Sequence, residues 1–256
     1  MCLILFACHI HPDYPLVLAA NRDEFRARPT RAAQWWDDCP ELLAGKDLSG
    51  GGTWLGVTRS GRMAAVTNFR DPASHNPAAR SRGELTSEFL QQQIAPEEYR
   101  QKLQRRRDRY NGYNLLYGFL DQLHYFSNRD HAPLRLAPGV YGLSNHLLNT
   151  PWPKVRRGKA ALALALEQRR LDFEHLWPIL ADPSPAADSE LPATGISLEW
   201  ERTLSAINIG GDHYGTRSST LLLAGKDGVV RFAERSFVPD RQATEIRFSF
   251  TLRREG

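Results

Sequence analysis

The first two dozen residues constrain this chain more than any other stretch. Cys2-Leu3-Ile4-Leu5-Phe6-Ala7-Cys8 is an apolar run of strand length. A turn follows at His11-Pro12-Asp13-Tyr14. A second apolar run, Pro15-Leu16-Val17-Leu18-Ala19-Ala20, then ends in Asn21-Arg22-Asp23-Glu24. Two such runs around a short Pro/Asp turn predict a β-hairpin. A hairpin brings the outer ends of its strands together, so Cys2 is expected near Asn21, Arg22 and Asp23. A thiol beside a cation and a carboxylate is an arrangement with chemistry in it as well as packing.

That chemistry depends on the residue before the thiol. Met1 precedes a small residue, so its removal would leave Cys2 with a free α-amine. Such an amine has a reference pKa of about 7.7–8.0 and can act as general base for the thiol of its own residue. A cationic neighbour favours the thiolate form of a cysteine, and a carboxylate can hold the amine in place. Cys2 can also be read as a small apolar residue opening a buried strand. The hairpin partner Asn21-Arg22-Asp23 is what brings the chemical reading level with it.

The 256 residues suffice for one large domain with a substantial core, and a single domain over 1–256 is the expectation. Charged residues make up 24% and hydrophobic ones 41%, which is ordinary globular usage. A net charge of +4 suits an anionic ligand or surface without arguing for nucleic acid. Cys2, Cys8 and Cys39 form no CxxC, zinc or c-type haem pattern, so a reducing compartment is the simplest reading. The first apolar run lacks a basic leader and is too short for a signal peptide. No stretch approaches the roughly 18 apolar residues of a membrane span. These features predict a soluble cytoplasmic protein with no integral membrane segment and no nucleic-acid partner.

Further along, residues 25–50 read as a polar surface loop, whose adjacent Trp35 and Trp36 either cover a cavity or pin the loop down. Thr53 to Val57 and Met63 to Asn68 form a second hairpin, entered through Ser49-Gly50-Gly51-Gly52. That glycine run lacks the Lys-Ser/Thr of a phosphate loop; it can instead let backbone approach a ligand or a neighbouring strand. Ser81-Arg82-Gly83-Glu84 fits a capping box for a helix to about Gln92. A second helix is expected from Pro96 through Arg107, its basic end a solvated face that suits a helix C-terminus. Tyr113 to Phe119 and Leu123 to Ser127 form a third hairpin. A short strand over Val140 to Ser144 ends at Asn145. Thr150-Pro151 signals a helix running into residues 160–166, and another helical piece spans Phe173 to Leu180. Residues 181–197 read as a surface loop. The C-terminal part reads as strands throughout: Leu204 to Ile209, Ser218 to Ala224, Val229 to Phe237 and Thr244 to Leu252, with a hairpin turn at Asp227-Gly228. Hairpins at both ends with helices between them predict α+β with antiparallel sheets.

Met1-Cys2 followed by Asn21-Arg22-Asp23-Glu24 resembles the NRDE family, also called the transport-and-Golgi-organisation family. The resemblance extends through Gly51-Gly52-Thr53-Trp54-Leu55-Gly56, Val66-Thr67-Asn68-Phe69-Arg70, Ser81-Arg82-Gly83, Leu143-Ser144-Asn145, Thr150-Pro151-Trp152-Pro153-Lys154-Val155 and Tyr214-Gly215-Thr216-Arg217-Ser218-Ser219-Thr220. The set of strand-end polar residues is also similar to that of N-terminal-nucleophile hydrolases of the choloylglycine hydrolase and penicillin V acylase group. That second resemblance implies a four-layer αββα sandwich of antiparallel sheets. It implies Cys2 as nucleophile, flanked by Arg22 and Asp23, with Asn68 and Asn145 forming the oxyanion site and Arg217 closing the constellation. Arg22 and Asp23 are adjacent here, whereas that group has them separated. The implied activity is hydrolysis of the C–N amide bond of an N-acyl small molecule, without a cofactor.

The alternative class is a non-catalytic carrier, since the family resemblance also implies haem trafficking or lipid and acyl-coenzyme A handling. Haem needs an apolar slot and an axial ligand, for which His9, His11, His124, His146 and His213 are available. His9, His11 and Asp13 alternate, which on a strand would place them on one face.

Overall fold

Strand β1 (Cys2–Cys8) has no polar alternation because both of its faces are covered. Its even-numbered residues Ile4, Phe6 and Cys8 pack in a core between two sheets. Its odd-numbered residues Leu3, Leu5 and Ala7 pack in a second core against helices. The computed structural model describes residues 2–130, 134–239 and 241–253, and Met1 lies outside them.

One sheet has the order β10 (Gly139–Leu143), β1, β2 (Leu16–Phe25), β11 (Tyr214–Ala224), β12 (Val229–Ser236), β13 (Thr244–Thr251). The other runs β3 (Thr30–Trp36), β4 (Cys39–Asp47), β5 (Leu55–Thr58), β6 (Arg62–Asn68), β7 (Tyr113–Phe119), β8 (Gln122–Ser127), β9 (Leu134–Arg135). Every strand pairing is antiparallel. Helices α3 (Pro153–Ala165) and α4 (Phe173–Leu180) cover the outer face of the first sheet through Val155, Leu162, Leu176 and Leu180. Helices α1 (Gly83–Gln91) and α2 (Pro96–Arg105) cover the second through Leu85, Phe89, Tyr99 and Leu103. The result is the expected α+β sandwich with two antiparallel sheets between helical layers.

The hairpins β1–β2, β5–β6 and β7–β8 lie where the sequence places them. Residues 25–50 do not form a loop: β2 continues to Phe25, and β3 and β4 follow. Their apolar pattern is broken by register shifts between Arg31 and Gln34 and between Trp35 and Trp36. The two tryptophans point to opposite faces. Trp35 packs toward the inter-sheet core, and Trp36 sits in the outer core with Nε1 donating to the Ala44 carbonyl at 3.0 Å.

Leu204 to Ile209 is not a strand either. Leu204 ends α5 (Leu198–Leu204), whose start is capped by Ser197, and 205–209 is a buried irregular segment. Its backbone groups are satisfied in part by side chains and in part by backbone outside a strand ladder, as where the Asn208 N–H donates to the Asp182 carbonyl at 2.8 Å. Asn21 Nδ2 donates to the Ile207 carbonyl at 2.8 Å, and the Ile209 N–H donates to Thr216 Oγ1 at 2.9 Å.

The capping box at Ser81 is not formed. Arg82 occupies the N-cap position without a side-chain cap, and Glu84 instead accepts from the Tyr110 hydroxyl. Helix α3 begins at Pro153 rather than at Thr150-Pro151. His9, His11 and Asp13 share no strand face, because β1 ends at Cys8 and His9 has φ 52°. The basic run after α2 is exposed at Arg105 and Arg109, as expected of a solvated face, but half-buried at Arg106 and Arg107. Arg106 pairs with Glu88 of α1 at 3.0 Å, and Arg107 donates to the Asn128 carbonyl at 2.7 Å.

The sheets are also joined by a buried polar contact. Glu234 of β12 is 2% exposed, and its Oε1 accepts from the Ala33 N–H of β3 at 2.7 Å. Burial pushes this carboxyl up to about 7, against the opposing pull of that hydrogen bond and of Arg22. A carboxyl raised on folding stabilises the fold when protonated. The contribution is full below its unfolded value and is lost as pH rises through about 7. Wild type is therefore expected to lose on the order of 2–3 kcal/mol between pH 5 and 8 relative to Glu234→Gln, which keeps the acceptor. Denaturant titrations of both proteins across that window check this; parallel profiles would contradict it.

Candidate active site

The site is built where β1 begins. Cys2 pairs with Arg22 across the hairpin, and Ile4 pairs with Leu143 on its other side. The next residues of that neighbour, Ser144 and Asn145, therefore flank the start of β1. The Cys2 backbone N donates to Asn145 Oδ1 at 3.2 Å, and Ser144 Oγ donates to the Cys2 carbonyl at 2.9 Å. By strand parity Cys2 shares a side with Ile4 and Phe6, so its side chain lies at the open end of the inter-sheet layer. A cleft of about 500 Å³ opens there, and Cys2, Arg22, Asp23, Glu24, Asn68 and Arg82 are among its lining residues.

The same parity separates the adjacent Arg22 and Asp23. Arg22 points between the sheets, with its guanidinium carbon 4.3 Å from the Trp54 ring centroid. It also donates to Thr30 Oγ1 at 3.2 Å. Trp54 is seated by Gly45, where an added Cβ would lie 2.2 Å from the indole. Asp23 points toward the helical layer and accepts from Thr216 Oγ1 at 2.7 Å. Asn21, also on that side, donates to the Leu180 and Ile207 carbonyls and accepts from Ser219. Asn21 is thus a buried structural link, and Cys2 has Arg22 on one face and Asp23 on the other.

Asp23 faces a residue that motif reading passed over. Lys154, in the first turn of α3, is 1% exposed, and its Nζ has no hydrogen-bond partner among the described residues. Burial raises the Asp23 pKa, and the Lys154 ammonium is the largest charge opposing that rise. Burial likewise lowers the Lys154 pKa, with Asp23 opposing. The signal was present in Thr150-Pro151-Trp152-Pro153-Lys154-Val155. A lysine within the apolar turn of a helix that covers a sheet cannot easily reach solvent.

Asn68 and Asn145 stand side by side but do different things. Asn145 is fully buried, and its Nδ2 donates to the Asn68 carbonyl at 2.8 Å. Its amide thereby ties the end of β6 to the start of β1. The Asn68 side chain lines the cleft, and no hydrogen bond of its carboxamide occurs among the described residues. The scaffold behind them is polar and buried. Thr67 Oγ1 donates to the Ser144 carbonyl at 2.7 Å, and Asn114 Nδ2 donates to Thr67 Oγ1 and to the His146 carbonyl. Arg70 donates its backbone N–H to the Asn145 carbonyl at 2.7 Å and pairs with buried Glu201 at 2.6 Å.

Arg217 does not line this cleft. It occupies a β-bulge between Thr216 and Ser218, and its Nη1 donates to the carbonyls of Phe25, Arg26 and Arg28. The structure thus brings Cys2, Arg22, Asp23, Asn68 and Asn145 together and turns Arg217 to the chain that leaves β2. The histidines are dispersed: His9 contacts the Asp121 carbonyl, His11 the Gln168 carbonyl, and His146 the Thr150 hydroxyl. Among the described residues, no group of three or more His, Cys, Asp or Glu side chains is placed to hold a metal ion. No helix among them is long and apolar enough to cross a membrane.

The sequence profile described as Transport and Golgi organisation 2 matches residues 1–239. A Transport and Golgi organization protein 2 homolog of Bos taurus is 39% identical over 259 residues, spanning 93% of this chain and 94% of the relative. The Homo sapiens homolog of that protein is 37% identical over 275 residues, spanning 98% and 99%. Among solved structures, a variant of the conjugated bile acid hydrolase from Clostridium perfringens superposes with a TM-score of 0.50. It covers 100% of this chain and 97% of its own at 9% identity, a likeness of fold.

Cys2 and Cys8 differ in access. Cys2 is half-buried at the cleft. Cys8 is buried, and burial pushes its thiol up to about 12. Iodoacetamide near neutral pH is therefore expected to alkylate Cys2 at least tenfold faster than Cys8 in the folded protein, because the thiolate is the reactive form. Peptide mass mapping over a labelling time course measures this. Equal rates at the two, or no label at Cys2, would contradict the placement of Cys2 in an open cleft.

Proposed function

The chain belongs to the Transport and Golgi organisation 2 family, and on that premise we propose that it is an N-terminal-cysteine hydrolase acting on the C–N amide bond of an N-acyl small molecule. The observation that carries this reading is the position of Cys2. Its side chain lies at a cleft, while its backbone nitrogen is held by the Asn145 carboxamide at 3.2 Å.

The chemistry follows from those positions once Met1 is removed. The Cys2 α-amine, oriented by Asn145, takes the thiol proton. The thiolate attacks the amide carbonyl, and the tetrahedral oxyanion receives a hydrogen bond from the Asn68 carboxamide. One such donor contributes about 2.7–4 kcal/mol to the transition state in acyl transfer. The C–N bond breaks as the ammonium of Cys2 returns its proton to the leaving amine. The acyl group then sits on Cys2 as a thioester. Water, deprotonated by the same amine, releases the carboxylic acid and restores the thiol. Arg22 and Asp23, on opposite faces of β2, set the local field on the thiol and on the amine. No step needs a cofactor.

The test compares wild type with Cys2→Ala on a panel of N-acyl amides, alongside intact-mass measurement of the N-terminus. Wild type is expected to lack Met1 and to release free amine. Cys2→Ala is expected to fall to the uncatalysed background while keeping its fold, since replacing one small side chain costs about 1–3 kcal/mol. Haemin and acyl-coenzyme A are titrated in parallel. Retention of Met1 and no turnover by wild type, with either ligand bound equally by Cys2→Ala, would assign the chain to carriage instead.

A further inference from the structure

The motif Ser81-Arg82-Gly83 has no part in the mechanism above, yet all three residues line the cleft. The segment is held there by a close backbone contact. A Cβ on Gly52 would lie 2.4 Å from the Gly83 carbonyl carbon and oxygen, and the Thr53 N–H donates to the Gly83 carbonyl at 3.3 Å. Only glycine at 52 lets the start of α1 sit against the segment that leads to Trp54. The glycine run therefore fixes Arg82 at the same cleft as Cys2.

Four guanidinium groups line this cleft, and three of them face carboxylates. Arg22 lies 3.8 Å from Glu24, Arg28 pairs with Asp47 at 2.7 Å, and the exposed Arg80 pairs with Glu84 at 2.8 Å. Arg82 forms no ion pair among the described residues; its hydrogen bond there runs from Nη1 to the Gly112 carbonyl at 3.1 Å. Among the described residues, the edge formed by Nε and Nη2 has no partner. Burial lowers the Arg82 pKa, and the ionisable groups around it are Cys2, Glu24 and Arg28. Glu24 is already shared between Arg22 and Arg28. A half-buried guanidinium beside the Cys2 cleft, without a carboxylate of its own among the described residues, is suited to a planar anion that it can grip through two N–H groups.

We infer that Arg82 is the specificity-determining residue of the cleft and selects N-acyl amides that carry a carboxylate, gripping that carboxylate while the amide carbonyl lies at Cys2. The assignment rests on the amidase reading for the substrate's amide and on the cleft geometry alone for its charge. The two parts fail separately. A neutral amide of the same shape leaves Arg82 without its counter-charge, so selectivity appears in binding before any bond is broken.

The experiment measures binding by calorimetry in the Cys2→Ala protein, where turnover does not interfere. The probes are N-phenylacetylglycine and the neutral N-phenylacetylglycinamide. The carboxylate is expected to bind about tenfold or more tightly than the amide, as a charge-assisted bidentate contact implies. Adding Arg82→Gln is expected to bring the two affinities within about threefold, and Arg82→Lys to restore part of the gap, since a lysine keeps the charge and loses the fork. Thermal melts of each variant establish that it is folded. Equal affinities in the Cys2→Ala protein, including no binding of either probe, would overturn the assignment. So would a preference that survives in Arg82→Gln. Turnover by wild type is measured separately. A carboxylate preference lost in Arg82→Gln, without hydrolysis by wild type, supports the anion site and counts against the amidase reading.

Discussion

Antiparallel pairing of Cys2 with Arg22 is the constraint on which the site depends. It sets the thiol at the rim of a buried sheet and decides where its neighbours point. Successive residues of a strand face opposite ways. Asn21 and Asp23 therefore enter the helical layer, while Arg22 enters the space between the sheets. Adjacency in sequence therefore places a cation on one face of the strand and a carboxylate on the other.

Polar groups buried at this rim do work that apolar packing leaves open. The inter-sheet core of Ile4, Phe6, Leu18, Met63 and Leu116 holds the layers together without fixing one precise offset. Directional contacts do that. Thr67 reaches the Ser144 carbonyl, Asn145 reaches the Asn68 carbonyl, and Glu234 reaches the Ala33 N–H. Each crosses between the sheets or their extensions, and each would leave a buried donor or acceptor unmatched if the sheets slid. The same contacts position Asn145 against Cys2. Register of the sandwich and geometry of the site are therefore set by one group of hydrogen bonds.

Legibility from sequence followed the periodicity of burial. Strands β1, β2, β6, β7 and β11 read clearly because covered faces demand apolar runs. Strand β3 was hidden: its bulges break the alternation, and only Ala33 and Trp36 of Thr30–Trp36 are buried. The segment 205–209 imitates a strand because Ala206, Ile207 and Ile209 are buried, but its backbone is satisfied by Asn21, Asp182 and Thr216 instead of a ladder. Arg217 precedes the strand that the sequence predicts from Ser218, but it lies inside β11. The bulge turns it toward the carbonyls of Phe25, Arg26 and Arg28, which strand counting could not register.

The sequence by itself determined the hairpin, the α+β class and the meeting of Cys2 with Arg22 and Asp23. All three follow from local apolar runs and turn chemistry, which act over a few residues. Only the tertiary structure decided which polar groups share the cleft. Asn68 and Asn145 lie 77 positions apart yet meet through one hydrogen bond, Lys154 is buried opposite Asp23 by the docking of α3, and Arg82 reaches the cleft because Gly52 admits the backbone of Gly83. These are contacts between distant segments whose positions depend on how layers stack, and layer stacking has no periodicity that a single strand or helix can carry.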